Sequence, residues 1–315
     1  GFEQMDYALD QGVNFFDTAE LYAIPPKEET QGSTERIIGS WFEKNGCRQD
    51  IILATKVAGR SGMKWFRGGE TRLNKENIEK AIEGSLKRLK TDYIDLYQLH
   101  WPDRALNIFG GGLGLYKHYD LESVPIEETL DVLNQIVETG KVRHIGLSNE
   151  TPWGLSEFLN VSERDNLPRV QSVQNAYNLL NRSYESGMSE FFHRSSVGLL
   201  AYSPLAQGYL SGKYLDGKLP EGSRTKLFGR GQRYETPSAE AAIRKYIDLA
   251  DQSNLDPSLM ANAFVNSREF VTSNIIGATT MEQLEIAIKS GLTKLSDDVL
   301  GELDKIHSEC PNPCP

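Results

Sequence analysis

The stretch GVNFFDTAELY, residues 12–22, runs an apolar segment straight into Asp17 and ends on Tyr22. The same design recurs twice: IILATK (51–56) ends on Lys56, and YIDLYQLH (93–100) ends on His100. Short apolar runs separated by amphipathic, helix-length stretches predict parallel strands in an α/β fold. In such folds the chemistry collects where the strands end. An acid, a phenol, an amine and an imidazole arriving there form a set suited to moving protons.

Working outward from these three runs, the periodicity predicts strands at 13–17, 51–57, 94–99, 143–148, 170–174, 197–202 and 273–277. Amphipathic helical patterns fall at 2–11, 34–45, 75–90, 127–139, 153–160, 184–194, 239–253, 258–267, 281–289 and 296–308. Asn74 and Ser296 stand where N-caps are expected, and Gly140 and Gly291 where helix-ending glycines are expected. Alternating strands and helices with right-handed crossovers leave a doubly wound sheet or a barrel. Two features favour the barrel. The ionisable residues leave several consecutive strands rather than one switch point, and no G-x-G-x-x-G follows the first strand. The expectation is a single domain over residues 1–315, an α/β chain folded as a (β/α)8 TIM barrel. Such a barrel needs eight strands where seven are found, and the sequence opens on a helix. A seven-stranded parallel barrel would expose hydrogen-bonding edges at the gap. The natural protein is therefore expected to carry its first strand ahead of Gly1.

Bulk composition narrows the function classes. The chain has 315 residues, 39% of them hydrophobic, and a formal net charge of −10, which argues against a non-specific nucleic-acid surface. Its longest apolar runs are strand-length, far short of a membrane span, so a soluble protein with neither nucleic-acid nor membrane partners is expected. Cys47, Cys310 and Cys314 show no metal-ligand spacing, and no metal is expected. Cys310 and Cys314 are close enough in sequence to bridge, but three scattered thiols fit a reducing compartment better. No signal peptide is visible, so a cytoplasmic location is expected; a plastid or other organelle is the alternative if a targeting segment precedes Gly1. The expected state is a monomer or weak homo-oligomer.

Two long loop-like segments, 101–126 after His100 and 203–237 after Tyr202, leave the expected catalytic face and read as lids. GGGLG at 110–114 looks like a phosphate loop but opens no helix, so it reads as part of the first lid. Trp101, Phe109 and Tyr116 nearby are candidate walls for an apolar or aromatic substrate, or simply loop packing.

Seven segments in order, FFDTAELY, ATKV, DYIDLYQLHWP, GLSNET, VQNAYNLLNR, LLAYSPLAQGYLSGKY and IIGATTMEQL, resemble the aldo-keto reductases over about residues 3–308. PPKEETQGSTE, HWPDR and GATTMEQL make the chain most similar to the Tas-like branch of that superfamily. The resemblance implies a catalytic tetrad of Asp17, Tyr22, Lys56 and His100. Elementary chemistry supports it. Carbonyl reduction needs a proton on oxygen, and a free phenol, with a pKa of about 10, is a poor acid at neutral pH. A neighbouring ammonium stabilises the phenolate, and a carboxylate keeps that ammonium charged and oriented. Tyr22 is thus expected to be the general acid, activated by Lys56 and in turn by Asp17, with His100 orienting the carbonyl. Taken singly, each residue has an ordinary structural reading, such as a buried ion pair or a satisfied histidine.

The resemblance further implies that Ser148, Asn149 and Gln174 bind the carboxamide of a nicotinamide on which Tyr202 stacks. Ser203, Pro204, Leu205 and Gly208 would approach the pyrophosphate, with Lys213 as its charge partner. Gly277, Thr279 and Gln283 would meet a 2′-phosphate at a helix N-terminus. The chain departs from related sequences at Ala287, where an Asn is usual, and it lacks an Arg in that turn; Arg224 and Arg230 are candidate substitutes. NADPH is the expected cofactor, with NADH less favoured. The expected function is reduction of small aldehydes or ketones to alcohols. The alternatives are a redox-sensing regulatory subunit that binds NADP(H) with little turnover, and an interaction protein without cofactor.

Overall fold

The computed structural model describes residues 1–109, 115–229 and 232–315, so the GGGLG segment and Arg230 lie outside the described residues. Seven parallel strands alternate with helices along the chain, the plan of a (β/α)8 barrel with seven of its strands. Two compact units divide the residues, the first comprising 1–106 with 117–174 and the second 107–116 with 175–315.

The first unit begins with α1 (Phe2–Asp10), β1 (Phe15–Asp17), α2 (Ser33–Asn45), β2 (Ile52–Val57), α3 (Lys75–Leu89) and β3 (Ile94–Leu99). It continues through α4 (Ile126–Glu138), β4 (Val142–Ser148), α5 (Pro152–Asp165) and the first residues of β5 (Val170–Ala176). Neighbouring strands pair in parallel, with Phe15 opposite Ile52, Lys56 opposite Gln98, Gln98 opposite Gly146 and Ser148 opposite Gln174. All six residues of β3 are buried, as its near-continuous apolar sequence requires. Helix α3 packs through Ile78, Ala81, Ile82, Leu86 and Leu89, the three-to-four spacing of one helical face. Asn74 caps it, its side chain accepting from the Asn77 N–H.

Two carboxylates brace this unit at opposite ends of β3. Near the strand's N-terminal end, Asp95 accepts from Arg48 at 2.8 Å, Arg143 at 2.7 Å and the Leu53 N–H at 3.0 Å. Beyond its C-terminal end, Asp103 accepts from Arg72 through two nitrogens and from the Leu73 and Val124 N–H groups. Burial pushes the Asp103 carboxyl up, but these donors outweigh it and hold the group below the usual carboxylate range. Asp103 thereby ties the far end of the 101–126 segment, at Val124, to the residues leading into α3.

The second unit holds α6 (Glu190–Ser195), β6 (Gly198–Tyr202), α7 (Arg224–Phe228), α8 (Ala239–Gln252), α9 (Pro257–Asn266), β7 (Val271–Ile275), α10 (Met281–Ser290) and α11 (Asp297–Glu309). Strands β6 and β7 pair in parallel, Leu199 opposite Val271 and Tyr202 opposite Ile275. Several sequence expectations are corrected. The helix expected at 184–194 is a single 3-10 turn at Ser183–Glu185 followed by α6, because Gly187 takes a left-handed φ of +99° between them. The last strand lies two residues earlier than expected. The 203–237 segment contains a 3-10 turn at Ala206–Ser211 as well as α7. Gly140 and Gly291 do end their helices, Gly140 left-handed at φ +76° just past α4 and Gly291 as the C-cap of α10 at φ −66°. Among the described residues, no helix is long and apolar enough to cross a membrane.

Candidate active site

In the first unit, parallel pairing aligns the ends of β1, β2 and β3, and the four expected residues meet there. Lys56 is fully buried; its Nζ donates to Asp17 Oδ2 at 2.6 Å and to the Thr18 carbonyl at 2.7 Å. It also shares a hydrogen bond with Tyr22, whose ring centre lies 4.9 Å from Nζ. Burial alone would pull the ammonium down, but the charge of Asp17, and after it Tyr22, outweighs burial and holds Lys56 above its ordinary value. The charged form of Lys56 is therefore favoured although the side chain is fully buried. The second oxygen of Asp17 is occupied too: Oδ1 accepts from Gln174 Nε2 at 2.8 Å and from Gln98 Nε2 at 3.1 Å.

His100 lies edge-on to Tyr22, with ring centres 5.5 Å apart and planes at 78°, and Trp101 packs against it at 4.8 Å. Burial, with the Lys56 charge adding to it, pushes the imidazole well below its ordinary range, so His100 is neutral at neutral pH. A neutral imidazole offers one N–H donor and one acceptor. Its Nδ1 is buried without a hydrogen-bond partner.

Beside these groups, Ser148 Oγ donates to the Gln174 carbonyl at 2.8 Å, and the Asn149 N–H donates to the same oxygen at 3.0 Å. Asn149 Nδ2 reaches the His100 carbonyl at 2.9 Å, its backbone left-handed at φ +54°. Ser148, Asn149 and Gln174 thus form one hydrogen-bonded group joined to the tetrad through Gln174 and His100. Trp101 is buried and donates from Nε1 to the Arg60 carbonyl at 2.8 Å. Phe109 and Tyr116, the other candidate substrate walls, are exposed.

The second unit presents its own set. Tyr202 ends β6, and Arg233 Nη1 donates to its hydroxyl at 3.3 Å. Beyond it the backbone turns left-handed at Ser203, Ala206, Gln207 and Gly208, with φ of +57°, +48°, +57° and +96°. Pro204 is buried within this turn, and the Leu205 carbonyl accepts from the Gly208 N–H. Lys213 lies against Gly208: a Cβ there would stand 2.8 Å from Lys213 Cε and 2.9 Å from Nζ. At α10, Thr280 caps the helix, while Thr279 donates through both its N–H and its hydroxyl to Gln283 Oε1. Gly277 is exposed and open on its Cβ side, and Ala287 is buried.

Family comparison matches residues 2–308 to the model of the aldo/keto reductase family. Over 99% of its length the chain is 45% identical to Protein tas of Escherichia coli K12, spanning 90% of that protein. The chain belongs to the aldo/keto reductase family. Two further relatives are less similar. The chain is 30% identical over 95% of its length to the L-glyceraldehyde 3-phosphate reductase of Escherichia coli O157:H7, of which it covers 81%. It is 29% identical over 96% of its length to a putative voltage-gated potassium channel subunit beta of Schizosaccharomyces pombe, of which it covers 83%.

Reading the sequence for ionisable strand ends missed Gln98 and Arg233. Gln98 did leave a signal, as a lone amide inside the otherwise apolar run LYQL. Arg233 left none, since a loop arginine 31 residues beyond Tyr202 carries no spacing that points to it.

Proposed function

We propose that this aldo/keto reductase reduces aldehydes or ketones to alcohols with NADPH, and that Tyr22 delivers the proton. The observation that carries the reading is a fully buried Lys56 held between half-buried Asp17 and Tyr22, beside a neutral His100. When bound, the reduced nicotinamide supplies the hydride to the carbonyl carbon. The chain supplies everything else. His100, being neutral, donates a hydrogen bond to the carbonyl oxygen without competing with Tyr22 as an acid. Tyr22 gives its phenolic proton to that oxygen as the alcohol forms, and the phenolate left behind is stabilised by the Lys56 ammonium until solvent returns the proton.

The donor set fits the cofactor. Gln174 commits Nε2 to Asp17, so it meets a nicotinamide carboxamide through Oε1, accepting from the carboxamide NH2, with Ser148 and Asn149 completing the recognition. In the second unit, Tyr202 offers a ring face. The turn of Ser203, Pro204, Leu205 and Gly208 offers backbone curved as anion sites are, with Lys213 as counter-charge. Gly277, Thr279 and Gln283 would take the 2′-phosphate at the N-terminus of α10. The free Cys47, Cys310 and Cys314 support a reducing, cytoplasmic setting.

Tyr22→Phe tests the reading. Reduction of a small aldehyde panel, including glyceraldehyde 3-phosphate, is expected to vanish while the dissociation constant for NADPH, read by fluorescence, stays close to that of the unaltered protein. Full turnover by this variant would overturn the assignment, and a tighter constant for NADH than for NADPH would overturn the cofactor. Similarity to a channel beta subunit favours a second reading, in which slow release of NADP+ makes the protein a redox reporter. Rapid multiple turnover excludes that reading.

A further inference from the structure

Among the described residues, Gln98 is the one fully buried amide that reaches the tetrad without a place in the proposed cofactor recognition. Its Nε2 donates to Asp17 Oδ1 at 3.1 Å, alongside Gln174 at 2.8 Å, while Lys56 holds Oδ2 at 2.6 Å. The opposite end of the same amide, Oε1, is buried with no partner. An unpaired buried carbonyl costs about 1–3 kcal/mol, which an apolar side chain of the same shape would avoid. Turning the amide over would set its oxygen against a carboxylate, so the orientation with nitrogen towards Asp17 is dictated by charge.

The neighbouring strands are shaped around this side chain. Gln98 stands opposite Lys56 in the β2/β3 register and opposite Gly146 in the β3/β4 register. A Cβ at Gly146 would lie 3.2 Å from Gln98 Cγ and 3.1 Å from Ser172 Oγ, tighter than ordinary contact. Glycine at 146 thus leaves the amide the room to reach across to Asp17.

We propose that Gln98 is a positioning residue of the tetrad. It fixes the Asp17 carboxylate from its Oδ1 side, so that Oδ2 meets Lys56 with the geometry that keeps the ammonium against Tyr22. A neutral donor is suited to this task, because it orients the carboxylate without cancelling the charge that Lys56 needs. The inference rests on the reductase reading for its consequence and on the hydrogen bond alone for its mechanism.

The test uses the full chain and two variants. Gln98→Leu is expected to lower kcat for aldehyde reduction about tenfold while leaving the NADPH dissociation constant within about twofold, the signature of an interaction that acts in the transition state. Gln98→Glu places a second carboxyl beside Asp17, and mutual repulsion makes such a pair hold one proton more tightly than either carboxyl alone. The shared proton restores a donor, so the ratio of variant to unaltered kcat is expected to fall about tenfold as pH rises and that proton is lost. A flat ratio overturns the proposal even if Gln98→Leu does not fold. So does an unchanged kcat in Gln98→Leu. Melting temperatures of Gln98→Leu, Asp17→Asn and the double variant provide a readout without turnover. The double is expected to lose less than the sum of the singles, and strict additivity overturns the proposal. If the unaltered chain reduces no carbonyl in the panel, the reductase reading fails, and the thermal cycle still decides whether Gln98 holds Asp17.

Discussion

Lys56→Met gives a quantitative test of the electrostatic core of the site. The variant keeps the apolar stem and removes the ammonium from between Asp17 and Tyr22. A cation 4.9 Å from the centre of the Tyr22 ring stabilises a phenolate by about 3 kcal/mol at an effective dielectric of about 20. At about 1.4 kcal/mol per tenfold, kcat is expected to fall about 100- to 300-fold when the proton has largely left Tyr22 in the transition state. Stability suffers separately. Asp17 would be left with only two amide donors, and breaking a buried ion pair from one side costs about 3–5 kcal/mol. The two losses are separable through the Asp17→Asn/Lys56→Met double variant, which replaces the pair by neutral groups. Its melting temperature is expected to recover most of the loss, while kcat remains at the level of Lys56→Met. Steady-state kinetics with a small aldehyde and thermal denaturation of the three proteins provide the readout. Recovery of kcat in the double variant, or a Lys56→Met enzyme within about threefold of the unaltered one, would refute the reasoning.

Two further expectations follow from groups held in unusual states. His100 is held neutral in the fold by burial and by Lys56, whereas the unfolded chain binds that proton below about pH 6.5. Falling pH therefore favours unfolding from about pH 6.5 downwards, by at most about 1.4 kcal/mol per pH unit. His307 is lowered as well, by burial and then by Arg182, so the test is the difference between the unaltered chain and His100→Leu. Equal slopes of melting temperature against pH in the two proteins would exclude His100 as the source. Gly208→Ala puts a side chain at φ +96° and within 2.8 Å of Lys213 Cε. A loss of about 1–3 kcal/mol at such a position is expected to appear as weaker NADPH binding with kcat at saturating cofactor little changed. Unaltered affinity would show that the turn does not take part in binding.

Much of this architecture was legible because parallel strands are apolar along their length and end abruptly in polar residues. Asp17, Lys56 and His100 announce themselves by standing where a VNFF, an IILAT or a YIDLYQL run stops. Asn74 and Ser296 cap helices by local chemistry that a sequence displays directly. What stayed hidden depended on register or on long-range contact. The break at Gly187 turns on a left-handed backbone that glycine permits but does not require, so ESGMS reads as easily through a helix as around a corner. Gly291 ends α10 as expected, yet with φ −66°, so the sequence placed the helix end without its backbone conformation. Gln98 was passed over because it carries no charge, although a glutamine buried in an apolar strand must find a partner. The partner of Arg233, the Tyr202 hydroxyl, belongs to a contact between a loop and a distant strand end that no local pattern records.

Two aspartates of the first unit show why donor type, and not burial alone, marks the site. Asp95 is surrounded by Arg48 and Arg143, two cations for one anion, at the end of β3 where parallel folds keep their stabilising contacts. Asp17 has one cation and two neutral amides. Replacing those amides by arginines would hold the carboxylate as firmly, but it would add positive charge beside Lys56 and weaken the attraction that keeps the ammonium charged while buried. With amides, the whole negative charge of Asp17 is spent on Lys56. That one ammonium then acts on both neighbours, helping burial to keep His100 neutral and standing ready to stabilise a phenolate at Tyr22. The position of that ammonium depends on Asp17, and Asp17 in turn on Gln98 and Gln174. Substitutions within this group are expected to be strongly non-additive in kcat, because losing any member displaces the same ammonium.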